Sequence, residues 1–238
     1  MTNVRVNDGT DFAGGGGVSF DRYGAGIDDA LIYSDAFGAP LAEDCEFNRS
    51  GQNTGLPSGW SWVNQGAATY LEAAGAGAIQ APGSTGYNYR GIVRSLPASW
   101  SSIVAKDSAI TRGGNEISSG ICLREAATGK LLTFYSYSTG SLNDLYLVGW
   151  TDAVGGSPSV KAGPVTLYPF DRPKYWRIRK ASPTSYSFEC SHDGYGWFAI
   201  ATAFDPSAVV YDQAGFLMYQ TAAGSYAWSQ VYHWMRFR

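Results

Sequence analysis

Turn-forming residues punctuate this chain at short intervals from Asp35 to its C-terminus, and no other feature limits its fold as much. The breaks fall at Pro40, Pro57-Ser58-Gly59, Gly75, Gly77, Pro82-Gly83, Gly113-Gly114, Gly129, Gly140, Gly155-Gly156, Pro164, Pro173, Pro183, Gly194, Pro206, Gly215 and Gly224. Glycine supplies the positive φ that tight turns need, and proline removes a backbone donor, so both interrupt regular elements. The runs between them have strand length, the signature of a β-sandwich or barrel. Strands are expected at Ala78–Gln80, Gly91–Ser95, Ser101–Ala105, Ile117–Glu125, Lys130–Ser138, Leu145–Trp150, Tyr175–Lys180, Tyr186–Ser191, Trp197–Ala203, Ala214–Gln220 and Trp228–Phe237. No stretch reads as an amphipathic helix, and neither an internal repeat nor an inter-domain linker is visible.

Alternation within the runs assigns faces, because successive strand side chains point to opposite sides. In LLTFYSYS, Leu132 and Phe134 share one side while Thr133, Tyr135 and Tyr137 share the other. In YWRIRK, Trp176 and Ile178 oppose Tyr175, Arg177 and Arg179; in SYSFECS, Tyr186, Phe188 and Cys190 oppose Ser185, Ser187, Glu189 and Ser191. Each strand thus has an apolar side for a core and a polar or polar-aromatic side. Cys190 is expected to point inward as a small hydrophobe.

Composition removes several function classes. The net charge of −3 and the absence of any basic run longer than two residues argue against nucleic acid as a partner, since phosphate binding needs clustered positive charge. Three scattered cysteines, Cys45, Cys122 and Cys190, form no CxxC pair, which disfavours both a disulfide framework and a zinc site. No run of about 18 apolar residues is available to span a bilayer. The opening MTNVRVNDGTDF lacks a basic-then-apolar leader, so synthesis and folding in a cytoplasm without a signal peptide are expected. At 238 residues, with 45% apolar residues, the chain can build one large all-β core.

Residues 1–34 differ in kind from the rest. Gly14 to Gly17 stand in a row, and Asp recurs at positions 8, 11, 21, 28 and 29. Ordering such glycines costs roughly 1 to 2 kcal/mol per residue in backbone entropy. The segment therefore reads as an arm held by a partner, through the apolar side chains Val4, Val6, Phe12, Phe20 and Tyr23, with the sandwich domain running from 35 to 238. A well-packed extension on the same chain is the plainer alternative.

Ser191-His192-Asp193-Gly194 sits between two aromatic strand-like runs and raises the question of a catalytic dyad. Asp-Gly followed by a second glycine is hairpin chemistry. Adjacent strand residues point to opposite faces, so neither Cys190 nor Ser191 is placed to use the His192 imidazole. His192 reads as a turn residue, and His233, in the last apolar run, as a packed sheet residue.

The stretches DAFGAPLAEDCEF, GLPSGWSWVNQGAATYLEAAGAGAIQAP, YWRIRK, SYSFECSHDGYGWFAIATAF, AGFLMYQ and VYHWMRFR resemble the concanavalin A-like lectin/glucanase superfamily, particularly its laminin-G-like jelly rolls. The resemblance covers residues 35 to 238 and implies two curved antiparallel sheets, one convex and one concave, with ligands on the concave face or its edge loops. The matching positions are structural. Glucanases of that superfamily carry an E-x-D-x-x-E strand whose carboxylates flank the scissile bond, about 5 to 5.5 Å apart in a retaining enzyme. That motif is missing here. Glu43, Asp44 and Glu46 have the wrong spacing and read as a solvated edge, and Asp28, Asp29 and Asp35 form no D-x-D-x-D-G calcium loop. No catalytic residue, metal or cofactor is expected.

Glycan recognition remains, because aromatic faces stack on sugar CH surfaces while polar neighbours bond hydroxyls. Tyr135, Tyr137, Tyr146, Trp150, Arg177 and Glu189 are the candidates, set against cross-strand packing as the ordinary role of strand aromatics. The combination of arm and sandwich suggests a non-enzymatic structural component of a bacteriophage virion, a decoration, fibre or tail accessory protein. Its expected partners are other virion subunits, copies of itself in an oligomer, and a surface glycan. A free-standing carbohydrate-binding module or lectin is the alternative, and a glycoside hydrolase ranks below both.

Overall fold

The computed structural model describes residues 44–47, 49–73, 75–82, 89–110, 117–138, 143–154, 156–167, 172–220 and 228–238, all within one unit, Ala42–Arg238. The arm, with Val4, Val6, Phe12, Phe20 and Tyr23, lies outside the described residues, as do Glu43, Asp28, Asp29 and Asp35. The described residues form strands and no helix: β1 (Cys45–Glu46), β2 (Trp60–Val63), β3 (Thr69–Ala73), β4 (Ala76–Ala81), β5 (Arg90–Ser95), β6 (Ser102–Ile110), β7 (Ile117–Arg124), β8 (Leu131–Ser138), β9 (Asn143–Trp150), β10 (Pro158–Leu167), β11 (Tyr175–Ser182), β12 (Ser185–Ser191), β13 (Phe198–Phe204), β14 (Gln213–Gln220) and β15 (Trp228–Phe237).

All pairings are antiparallel and build two sheets. One has eight strands in the order β13-β12-β11-β6-β15-β4-β3, with β1 added beside β15; the other has seven in the order β10-β9-β8-β7-β14-β5-β2. They face each other as a sandwich of the jelly-roll kind. Alternation set the faces as expected: Leu132, Phe134, Trp176, Ile178, Phe188 and Cys190 all enter the inner core. Rings cross the gap between the sheets, with Phe216 of β14 at 4.2 Å from Tyr232 of β15 and Phe134 of β8 at 4.9 Å and 90° from Trp176 of β11. Such contacts add to the area-driven stabilisation of burial and fix which side chains interlock.

Strand β6 runs beyond its expected end at Ala105 because Asp107 has work inside the sandwich. Its carboxylate is fully buried and accepts from Trp176 Nε1 at 2.6 Å, from Arg172 at 2.9 Å and from the Gln230 amide. Arg172 also donates to Ser119 Oγ on β7, so the network ties the two sheets together. A buried carboxylate satisfied on both oxygens is tolerated where an unpaired one would not be.

Asp44 and Glu46 are not a solvated edge. Asp44 is buried against the chain's other end, accepting the Phe237 backbone N–H at 2.8 Å and pairing with Arg238 at 2.8 Å, and Glu46 pairs with Arg236 at 2.7 Å. β1 lies against β15 with Cys45 opposite Met235, which sets both carboxylates beside the two terminal arginines. They clasp the first and last strands.

Candidate functional site

The seven-stranded sheet carries a second apolar cluster on its outer face, made by the residues that alternate with the core set. Register places them in rows. Tyr219, Ser118, Tyr137 and Asp144 stand opposite one another across β14, β7, β8 and β9, and in the next row Leu217, Gly120, Tyr135 and Tyr146 follow in the same order. Tyr135 and Tyr146 stack at 5.7 Å and 22°, while Tyr137 meets Tyr146 edge-on at 6.3 Å. Gly120 has a packing reason: a Cβ there would come within 2.2 Å of the Phe134 carbonyl oxygen, so no larger residue fits between β7 and β8.

One half of this face is closed. Tyr89, just before β5, crosses over it, its N–H donating to the Ala153 carbonyl at 3.1 Å and its carbonyl accepting from Asn64 at 2.8 Å. Its ring lies 4.7 Å from Trp150 and 4.8 Å from Tyr219. Trp150 is buried below it and donates Nε1–H to Thr133 Oγ1 at 2.9 Å. Burial also pushes the Tyr89 hydroxyl well above its ordinary pKa and the Cys122 thiol up to about 12.

The other half is open. Tyr137, Asp144 and Tyr146 are only half-buried. Burial, and then the Asp144 carboxylate, raise the Tyr146 pKa, so its hydroxyl stays a neutral donor and acceptor. Asp144 Oδ1 and Ser118 Oγ are buried atoms with no hydrogen-bond partner among the described residues, and they flank Tyr137 in one row. A buried polar atom left unpaired costs about 1 to 3 kcal/mol. Asp144 is also the only carboxylate on any of the seven strands of this sheet.

The six sequence candidates therefore do not share a surface. Tyr135, Tyr137, Tyr146 and Trp150 lie on the outer face of the seven-stranded sheet, Tyr135 and Trp150 buried within its packing. Arg177 and Glu189 lie on the eight-stranded sheet, opposite each other on β11 and β12, and alternate with the core residues Trp176, Ile178, Phe188 and Cys190. Alternation could have found Asp144, which shares parity with Tyr146 and Trp150 in NDLYLVGW, and Tyr219, which alternates with Met218 in AGFLMYQ. Tyr89 lies outside any strand and carries no such signal.

The Ser191-His192-Asp193 segment is a hairpin corner. Ser191 Oγ donates to Asp193 Oδ1 at 2.9 Å and accepts the Gly194 N–H at 2.9 Å, and Asp193 Oδ1 also accepts from Tyr195 and Gly196 at 2.8 and 2.9 Å. The Gly196 and Tyr195 amides hold the Asp193 carboxyl below its ordinary pKa. His192 is exposed at the bend. His233 Nε2 lies 3.2 Å from Ser108 Oγ within the sheet. The three cysteines are free and buried, and burial pushes Cys45 up to about 11 and Cys190 up to about 12.

No protein-family model matches the chain, and no curated protein matches it in sequence. Solved structures do match in fold. The GH43 protein BlXynB of Bacillus licheniformis superposes with a TM-score of 0.57 at 13% identity, over 84% of this chain and 39% of that one. A xylan beta-1,4-xylosidase of Bacillus halodurans gives 0.53 at 11%, over 84% of this chain and 40% of the other. The chain thus spans about two-fifths of the length of these enzymes. The mixed linkage glucan PUL GH16 protein of Bacteroides ovatus, solved with a G4G4G3G product, gives 0.52 at 7%, over 83% of this chain and all of that one. At such identities the likeness is one of fold alone, that of a two-sheet antiparallel β-sandwich.

Proposed function

We propose that this protein binds a neutral glycan on the open half of its seven-stranded sheet and acts by adhesion, without catalysis. The observation that carries the reading is the open half of the face, where the half-buried Tyr137 ring stands opposite the half-buried Asp144 carboxylate and beside the half-buried Tyr146 ring. Ring faces offer stacking for sugar CH surfaces, and the half-buried Asp144 carboxylate and Tyr146 hydroxyl offer partners for sugar hydroxyls. A single carboxylate on the sheet favours binding over hydrolysis, since both common glycosidase mechanisms use two. The folds of the GH16 and GH43 proteins make xylan and mixed-linkage glucan the first polysaccharides to test.

In the same proposal the protein is a virion component, attached to its particle by residues 1–34. Support comes from the sequence: a Gly- and Asp-rich segment whose ordering costs backbone entropy, in series with the sandwich. Removing residues 1–34 should abolish attachment to the particle while leaving a cooperatively folded sandwich; a truncated chain that binds glycan and that no particle ever carried would favour the free-standing lectin.

Affinity electrophoresis in neutral polysaccharide gels tests the site itself. Tyr137→Ala and Tyr146→Ala should each weaken binding by about 1 to 2 kcal/mol, the range for exposed aromatic contacts, with little change in melting temperature. Full retention in both variants, or no retardation of the native protein by any neutral polysaccharide, would remove this reading.

A further inference from the structure

The outer face of the eight-stranded sheet holds a second arrangement that the glycan reading does not use. Glu189 is buried and accepts from two arginines: Arg177 Nε at 2.5 Å on one oxygen, and Arg179 Nε and a terminal nitrogen at 2.9 and 2.5 Å on the other. The described pairs Arg49–Glu72, Arg172–Asp107, Arg236–Glu46 and Arg238–Asp44 each match one arginine to one carboxylate. At Glu189 alone among them, two cations share one anion, which leaves a local charge of about +1.

The surplus charge is oriented. Arg177 lies over the Trp197 ring, its Cζ 3.9 Å from the ring centroid, and with its Nε on Glu189 its two terminal nitrogens make no hydrogen bond among the described residues. Arg179 keeps one terminal nitrogen unused among the described residues, and its side chain is 55% exposed, against 22% for Arg177. The neighbours opposite Arg177 and Arg179 on β6 are Val104 and Ser102, and Ser187 faces Arg179 on β12, so no further carboxylate stands in these rows. A guanidinium held by stacking and by its Nε is prepared to bind a planar anion through its terminal N–H pair.

We infer that Arg177 and Arg179, set by Glu189 and Trp197, form a binding site for a carboxylate carried on an acidic saccharide. The site is separate from the neutral-glycan row, which lies on the other sheet, and stands whether or not that row binds sugar. Arg177 and Arg179 are the contacting residues; Glu189 and Trp197 are positioning residues.

The test uses the full chain in affinity electrophoresis and calorimetry at 0.15 M salt, with polygalacturonate, its methyl ester and dextran sulfate as probes. Polygalacturonate should bind at least tenfold tighter than the ester, which has the same sugar without the charge. Arg179→Gln, at an exposed position, should lose threefold or more of the polygalacturonate affinity, and Arg177→Gln tenfold or more. Equal binding of acid and ester would overturn the inference. Dextran sulfate binding as tightly as polygalacturonate, with both variants unchanged, would replace it with diffuse attraction of polyanions. Undiminished polygalacturonate binding by Arg179→Gln, with unchanged melting temperature, would also overturn it, whatever the fate of Arg177→Gln.

Discussion

The outer faces of the two sheets solve the same problem with different chemistry. Each consists of the residues that alternate with a shared core, and each is more buried than a solvent-facing sheet surface needs to be. The seven-stranded sheet covers its outer face with rings and aliphatic side chains, under Tyr89, and places one carboxylate among them. The eight-stranded sheet covers its own with ion pairs laid over aromatic rings, as at Arg177 on Trp197 and Arg236 on Trp234. The first should derive its stability from buried area and respond little to salt. The second depends on charges matched at short range, whose worth falls steeply with exposure.

The largest expected effect separates the closed and open halves of the aromatic face. Trp150→Ala removes a buried indole, its contacts with Tyr89 and Tyr219 and its bond to Thr133, and should destabilise by about 4 kcal/mol, as buried aromatic truncations do. Tyr137→Ala, in the open half, should cost under about 1 kcal/mol. Urea unfolding of both variants measures the contrast. Similar losses at the two sites would mean that the face is one continuous core with no open half. Cys122 reports on the same covering: its thiol, raised to about 12, should react with a thiol reagent only through unfolding.

Next comes the ionic face. Glu189→Gln keeps the shape of the side chain and leaves two guanidinium groups facing each other. The expected loss is about 2 kcal/mol, between the small worth of an exposed pair and the larger cost of stranding buried charge, because Glu189 is buried while Arg179 is largely exposed. The loss should grow at low salt, where repulsion between the arginines is unscreened. The same salt series on Trp150→Ala should show no trend, and a salt-dependent Trp150 effect would break the contrast between the faces.

Much of this architecture was legible because strands that bury one face must alternate, and because turns need Gly and Pro. Eleven expected strands are present, most to within two residues of their observed limits. Strand β10 escaped notice because Pro158, Gly163 and Pro164 interrupt its pattern; it is an edge strand, where missing donors are tolerated, and its register shifts near Ala162. β6 ran past its expected end because Asp107 is apolar in placement though not in chemistry. The candidate site was legible in its parity and not in its partners. Alternation put Tyr135, Tyr137 and Arg177 outside the core, but which sheet each belongs to is set by pairings between strands distant in sequence. The arrest of Trp150 under Tyr89 depends on a residue in no strand at all.

The smallest expected effects come at the hairpin corner beside the ionic face, where neighbouring residues should behave oppositely. Asp193 accepts three hydrogen bonds through one oxygen, so Asp193→Ala should cost about 1 kcal/mol and loosen the turn. Its folded pKa is depressed, so its contribution is present above the ordinary carboxylate range and is lost as pH falls through the lower folded value. Amide exchange at Tyr195 and Gly196 should therefore accelerate, relative to the intrinsic rate, on acidification below that range. His192 points into solvent one residue away, with the Ser191 hydroxyl already engaged by Asp193 and Gly194. His192→Ala should change stability by about 0.5 kcal/mol or less and alter neither kind of saccharide binding. A hydrolytic activity lost in His192→Ala and kept in Asp193→Ala would show that the imidazole does chemistry at this corner, and the division between a structural turn and two proposed binding faces would have to be redrawn.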